Sequence, residues 1–198
     1  MLKAITVSLA ALTLVIVVTH SHAQSLQDDR PRAEIALSDD TLQLRYIDSG
    51  ANIDVGRGSR VSGGFFLSES RDIVLSGDVL FPVQLDFDRL QILLGPRAYA
   101  ALLEDENTDV FAVSVGAELR YELDRNSGLA LAGQAFYAPD ILTFGSANNL
   151  TDLGAWLEIR LQPRLTAFGG MRWFEFDLTE GGQRTLQEEL FAGIGWRF

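Results

Sequence analysis

Cysteine is absent from the 198 residues, lysine occurs once and histidine twice. Lys3, His20 and His22 all lie in the first two dozen positions. Lys3 precedes an apolar run, Ala4 to Val18, which ends at the small-residue exit Ser21-His22-Ala23. A basic start, a short apolar core and a small-x-small site form a secretory signal peptide. The run falls short of the roughly 20 residues a membrane-spanning helix needs, which argues against the alternative, a retained anchor helix. No cysteine follows the cleavage point, so lipid attachment through that residue is excluded. The reading is a signal peptide over 1–23 and a single mature domain over 24–198, starting at Gln24.

The mature domain therefore has fifteen arginines and 27 acidic residues, a net charge of −12, with no lysine, histidine or cysteine. Without histidine it cannot assemble a Ser-His-Asp hydrolase, an Asp-His protease or a histidine-based acyltransferase. Without lysine there is no Schiff base, and without cysteine no thiolate nucleophile or zinc site. The expectation is a protein that is not an enzyme and holds no cofactor or metal, with carboxylate-only catalysis as the one route left open. A negative chain is also a poor ligand for nucleic acid, whose affinity rests on basic groups meeting phosphates. Asp105, Asn107 and Asp109 space oxygen ligands as a calcium loop does, but Val110 and Gly116 stand where that loop needs glycine and glutamate, so a solvated loop is the better reading. Gly56-Arg57-Gly58-Ser59-Arg60 could hold an anion but lacks the phosphate-loop pattern, and reads as a flexible turn.

After the leader, no apolar stretch approaches helical membrane length. Segments of about ten residues instead alternate with period two, as barrel strands do when one face meets lipid and the other the lumen. Leu190, Ala192, Ile194, Trp196 and Phe198 fall on one face of the last segment, opposite Glu189, Phe191, Gly193, Gly195 and Arg197. Val113 to Leu123 alternates with Ser114, Glu118, Arg120 and Glu122, and Leu153 to Leu161 alternates with Asp152, Trp156, Glu158 and Arg160. Ten strands are predicted, over 33–38, 41–48, 59–68, 72–83, 88–102, 109–123, 128–138, 149–161, 165–177 and 185–198. The fold class is an all-β, single antiparallel transmembrane barrel of about ten strands, with eight as the fallback because the first hairpin is short and residues 50–64 are irregular. Aromatics near strand ends (Phe81, Tyr121, Tyr137, Trp173, Trp196) match interfacial girdles and count against a soluble barrel or sandwich. Short turns at 124–127 and 162–164, and longer connections at 138–148 and 179–184, place the C-terminus in the periplasm. The long connection before Arg60 does not fit that rule.

The residues also resemble the YfaZ family of outer-membrane proteins, over about Leu42 to Phe198. The resemblance is carried by Gly133-Gln134-Ala135-Phe136-Tyr137-Ala138-Pro139-Asp140, by Leu165 to Phe174 with Gly170 and Arg172, and by the closing Gly193-Ile194-Gly195-Trp196-Arg197-Phe198. Residues 51–60 depart most from it. It implies a Gram-negative outer-membrane barrel, and no settled biochemical activity comes with it. Ile194, Trp196 and Phe198 resemble the C-terminal signal that barrel-assembly machinery reads while adding a strand to an exposed edge. The expected partners are thus outer-membrane lipid and that machinery, and no oligomeric state follows.

If the alternation holds, Arg45, Arg97, Arg120, Arg160, Arg172 and Arg197 point inward with Asp78, Glu118, Glu122, Glu158 and Glu189. A barrel of this size has an interior about filled by side chains, and buried charges must pair. A structural ion-pair network plugging the lumen is favoured over the alternative, a narrow passive channel that uses the same charges as its constriction. The leader reading has a direct check: amino-terminal sequencing of the protein from outer membranes should begin at Gln24.

Overall fold

The computed structural model describes residues 30–56, 58–104, 108–179 and 181–198. The predicted leader, Gln24, Arg57, Asp105 and Asn107 lie outside these. Eleven strands follow in order: β1 (Arg32–Ser38), β2 (Thr41–Ser49), β3 (Arg60–Ser68), β4 (Ile73–Pro82), β5 (Leu90–Leu103), β6 (Thr108–Asp124), β7 (Leu129–Ala138), β8 (Thr143–Gly145), β9 (Ala147–Gln162), β10 (Leu165–Leu178) and β11 (Gln183–Arg197). Every pairing is antiparallel, and β1 joins β11 through pairs such as Ile35↔Ile194, so the sheet closes on itself. Ten strands form the wall, matching the predicted count.

The eleventh strand was not foreseen, and its origin is geometric. β6 runs for 17 residues while its neighbour β7 stops after 10. The upper part of β6 would be left without hydrogen-bond partners, and β8 fills the gap through Phe111↔Phe144. β7 then pairs directly with β9, for example Leu131↔Leu157. The wall is uneven in height: β1 has 7 residues and β2 and β3 have 9 each, whereas β9 to β11 have 14 to 16.

Burial is inverted relative to a water-soluble barrel. Leu157 is 51% exposed on the outer face, whereas Asp152 on the same strand is fully buried in the lumen. Ile35, Leu44, Leu75, Leu119, Leu131 and Ile194 likewise face outward. A sheet with this arrangement would expose oil and bury charge in water, so the soluble alternative is excluded and the outer face is a hydrocarbon contact. All five predicted girdle aromatics are exposed on the outer wall. Phe81, Tyr121 and Trp196 stand near the rim that carries Arg32 and Arg197 (the terminal rim), and Tyr46 stacks there on Phe198 at 6.3 Å. Tyr137 and Trp173 stand toward the opposite, distal rim.

Glycines let large side chains lie across the inner wall. A Cβ at Gly116 would come within 2.5 Å of the Phe136 ring, and one at Gly193 within 2.5 Å of the Phe168 ring. Both glycines are therefore required by close approach.

Loop lengths depart from the expected rule in the first half of the barrel. The distal turns 39–40 and 69–72 are tight, while the terminal rim carries the longer connections 50–59 and 83–89. Gly50–Ile53 forms a 3₁₀ turn, the Gly50 amide donates to the Ser59 carbonyl at 2.8 Å, and Ser59 is buried. Asn52 donates to Asp48 at 2.7 Å, tying the turn to the end of β2.

The inverted wall generates an expectation. Leu157→Arg places a guanidinium against the acyl chains and should lower the unfolding free energy in vesicles by roughly 2–4 kcal/mol. Urea titrations of the refolded protein measure it, with inward-facing Ala132→Ser as the comparison.

Candidate functional site

The lumen holds nearly all the buried charge. Ladder geometry explains why: on an antiparallel wall, residues two apart share a face, so each inward polar position is stacked above the next. At mid-height this brings Arg45 (β2), Asp78 (β4), Arg97 (β5), Glu118 (β6), Asp152 (β9) and Arg172 (β10) together.

Arg97, only 4% exposed, is the hub. Its guanidinium meets Asp78 at 2.9 Å, Glu118 at 2.6 Å and Asp152 at 3.4 Å, and donates to the Gln134 side-chain oxygen at 3.1 Å. One face of it lies 3.8 Å from the centre of the Phe136 ring. Arg45 reaches Asp78 at 3.1 Å and Glu118 at 2.6 Å. Arg172 grips Asp152 with two nitrogens, at 2.8 and 2.9 Å, and donates to Gln43 at 2.9 Å. The Tyr99 hydroxyl donates to Asp152 at 2.8 Å, and the Ser62 hydroxyl to Asp78 at 2.7 Å. Three guanidiniums thus face three carboxylates, and Arg60 adds an ion pair to Glu118. Pairing of this quality is what allows ionised groups to sit out of water at all.

A second cluster lies toward the terminal rim. Arg120 bridges Glu122 at 3.0 Å and Glu158 at 3.1 Å, the Trp156 indole donates to Glu158 at 3.1 Å, and Arg32 pairs with Glu34 at 2.7 Å. Above the central layer, toward the distal rim, the lumen turns apolar. Phe66, Val74, Ala101, Leu103, Val110, Leu150, Phe174 and Phe176 are buried in one continuous cluster. Phe66 meets Phe174 edge-on at 5.8 Å, and Phe174 packs on Phe176 at 5.6 Å. Beyond it, Arg184 clamps buried Asp72 at 2.9 Å, which ties the 69–72 turn to β11. From end to end the lumen is an apolar plug, an ionic layer and a polar cup.

The eleven residues expected inside divide accordingly. Arg45, Asp78, Arg97, Glu118 and Arg172 form the central network, and Arg120, Glu122 and Glu158 the second. Arg160 and Arg197 line the terminal cup, Arg160 being solvent-exposed. Glu189 is half-buried near the distal rim, where the Ser38 hydroxyl donates to it. The list omitted Asp152 and Arg60, although both were legible: Asp152 sits six positions before Glu158 on the same face, and Arg60 two before Ser62. Tyr99 was missed because an aromatic inside a membrane barrel leaves no polar-face signal. Ile194, Trp196 and Phe198 lie on the outer face of β11 and beyond its end, as expected. Among the described residues no group of acidic or other ligand side chains could hold a metal ion.

A match to a known family decides the assignment: residues 10–198 match the family model described as YfaZ precursor. The chain belongs to the YfaZ family. With its closed wall and hydrocarbon-facing surface, this YfaZ protein is a β-barrel of the Gram-negative outer membrane. No curated protein matches it. Among solved structures, the outer membrane channel DcaP of Acinetobacter baumannii is similar at 10% identity and a TM-score of 0.39. The alignment covers 83% of this chain and 54% of that one, so the YfaZ chain spans about half its length.

The hub arginine yields a sharp test. Arg97→Ala opens a cavity at the hub and leaves Asp78, Glu118 and Asp152 only the ion pairs they keep with Arg45, Arg60 and Arg172, and should cost roughly 3–5 kcal/mol of stability. Arg45→Ala in the same background should deepen the loss, since Asp78 then keeps no guanidinium partner. Unfolding titrations of the two variants in vesicles give the comparison.

Proposed function

We propose that this YfaZ protein is a non-conducting, non-enzymatic outer-membrane barrel that serves envelope integrity through its lipid-facing wall and outer loops. The supporting observation is the seal. Phe174 and Phe176 are no more than 1% exposed, and the Phe174 ring lies 4.5 Å from the Arg172 guanidinium of the ion-paired layer. An ion on the barrel axis would have to pass the buried apolar cluster around Phe174 and Phe176, where desolvation is costly. The absence of histidine, lysine and cysteine from the mature chain supports the non-enzymatic side of the reading. The proposal keeps the terminal rim in the periplasm and the distal rim, with Asp39, Asp40, Glu69 and Asp140, outside. It also keeps the outer face of β11, with Phe198 just beyond its end, as the surface offered to barrel-assembly machinery during insertion.

Purified protein in a planar bilayer should give no single-channel steps. Reproducible steps that shift when Glu118→Gln or Arg120→Gln is introduced would favour the narrow passive channel. Lipid A from cells with and without the protein should be the same, and a new lipid species would overturn the non-enzymatic reading.

A further inference from the structure

We propose that the distal edge of β11 is a docking site for an extended, lysine- or arginine-rich peptide, which adds there as a short further strand. The site lies outside the sealed lumen and takes from that reading only the outward placement of the distal rim.

The edge arises from the mismatch between the first and last strands. β1 has 7 residues and β11 has 15, and their pairing runs from Arg32↔Arg197 to Ser38↔Phe191, where the chain turns away into β2. Residues 183–190 of β11 keep β10 on one side, and no strand pairs with their other side among the described residues. The far end of the strand fixes which backbone groups point that way. The Arg197 amide donates to the Arg164 carbonyl at 2.9 Å, beside β10, and the Phe198 amide to the Pro31 carbonyl at 3.2 Å, beside β1. Successive residues of a strand turn their amides to opposite edges, and the register with β10 is unbroken from Trp196 to Gln187. Even-numbered residues of this stretch therefore face the β1 side. Glu188 and Leu190 thus present their N–H and C=O groups over the end of β1. Both are exposed, Leu190 at 75%. Past the register shift at Phe174/Glu175, Gln183 and Thr185 are exposed as well. An open row of this kind is a template for another strand, and the main-chain ladder supplies the affinity.

The charge around the edge selects the occupant. Asp39 and Asp40 form the tight turn after β1, and the Glu69 amide in the next distal turn donates to the Asp40 carbonyl at 2.7 Å. All three side chains, like that of Glu188, are exposed. The arginines nearby are engaged, Arg184 on Asp72 and Arg71 at 3.7 Å from Glu104. A lipid phosphate, a nucleic acid or the acidic rim of a second copy would meet like charge there, whereas a basic peptide meets complementary carboxylates. Leu37, 56% exposed, and Leu190 stand on the outer side of the same edge. The fitting sequence therefore alternates basic and apolar residues, one kind for each face of the added strand.

The probe is an end-capped, alternating Lys-Val octapeptide, titrated calorimetrically into the full-length mature protein in non-ionic detergent. Saturable 1:1 binding is expected, weakened roughly tenfold in D39N/E188Q. The same peptide methylated on every amide nitrogen keeps its charge and loses its donors, and should also bind roughly tenfold more weakly. Absence of saturable binding, or unchanged affinity in D39N/E188Q, would overturn the proposal. Equal binding of the methylated peptide would overturn it too, as adsorption by charge alone. That comparison leaves the protein unaltered, so it decides if the variant loses its compact, heat-shifted gel migration. A dimer in sedimentation that the peptide fails to displace would give the edge to a second copy and overturn the assignment. Channel steps beside intact peptide binding would sink the seal and leave the edge, whereas a silent bilayer without peptide binding would sink the edge alone.

Discussion

A guanidinium cannot stand alone inside a cylinder whose outer surface is hydrocarbon. Water is displaced by neighbouring side chains, and the far side of the wall offers no polar partner. Arg97 is tolerated because three carboxylates, one amide oxygen and one aromatic face surround it. Those five partners come from four other strands: Asp78 from β4, Glu118 from β6, Asp152 from β9, and Gln134 and Phe136 from β7. The hub is therefore satisfied only when the wall has closed in a single register, because a one-residue slip in any of these strands would turn its partner outward into lipid. The same inward pairs that hold charge in the lumen thus also specify the register of the sheet.

How much of this could be read from the chain follows from the same physics. Period-two alternation announces a strand wherever both faces carry strong contrast, as in β9, where Leu153, Leu157 and Ile159 alternate with Asp152, Glu158 and Arg160. Ten strands and their inward sets were legible for that reason. The alternation carries no information on how far each neighbour extends, so β8 stayed hidden: its need arises only because β7 stops short of β6. Axial position is equally silent in a pattern of period two. Arg160 and Arg120 share the inward face of their strands, yet one ends at the open mouth and the other in a buried bridge. Loop length misled in the 50–59 connection, where Ser59 and the 3₁₀ turn at Gly50–Ile53 build local structure that a Gly-rich composition conceals.

The three layers of the lumen divide labour along the barrel axis. In the distal half, apolar packing around Phe174 is the main filling, with the Arg184–Asp72 clamp beyond it. The ionic layer beneath it is directional and gives the strands their mutual alignment. The cup below is an open cavity of about 500 Å³ lined by arginines, carboxylates and Trp156.

The unequal strand lengths bear on the surrounding bilayer. Seven to nine residues at about 3.3 Å each, tilted by roughly 40°, give β1 to β3 a height near 18–23 Å. That is less than the roughly 25 Å apolar band of an outer-membrane barrel, while β9 to β11 exceed it comfortably. Acyl chains along β1, β2 and β3 must compress or splay to meet that low parapet, and the molecule leans to share the mismatch. One flank of this protein is thus a line of thinned, disordered lipid, fixed to the same three strands in every copy.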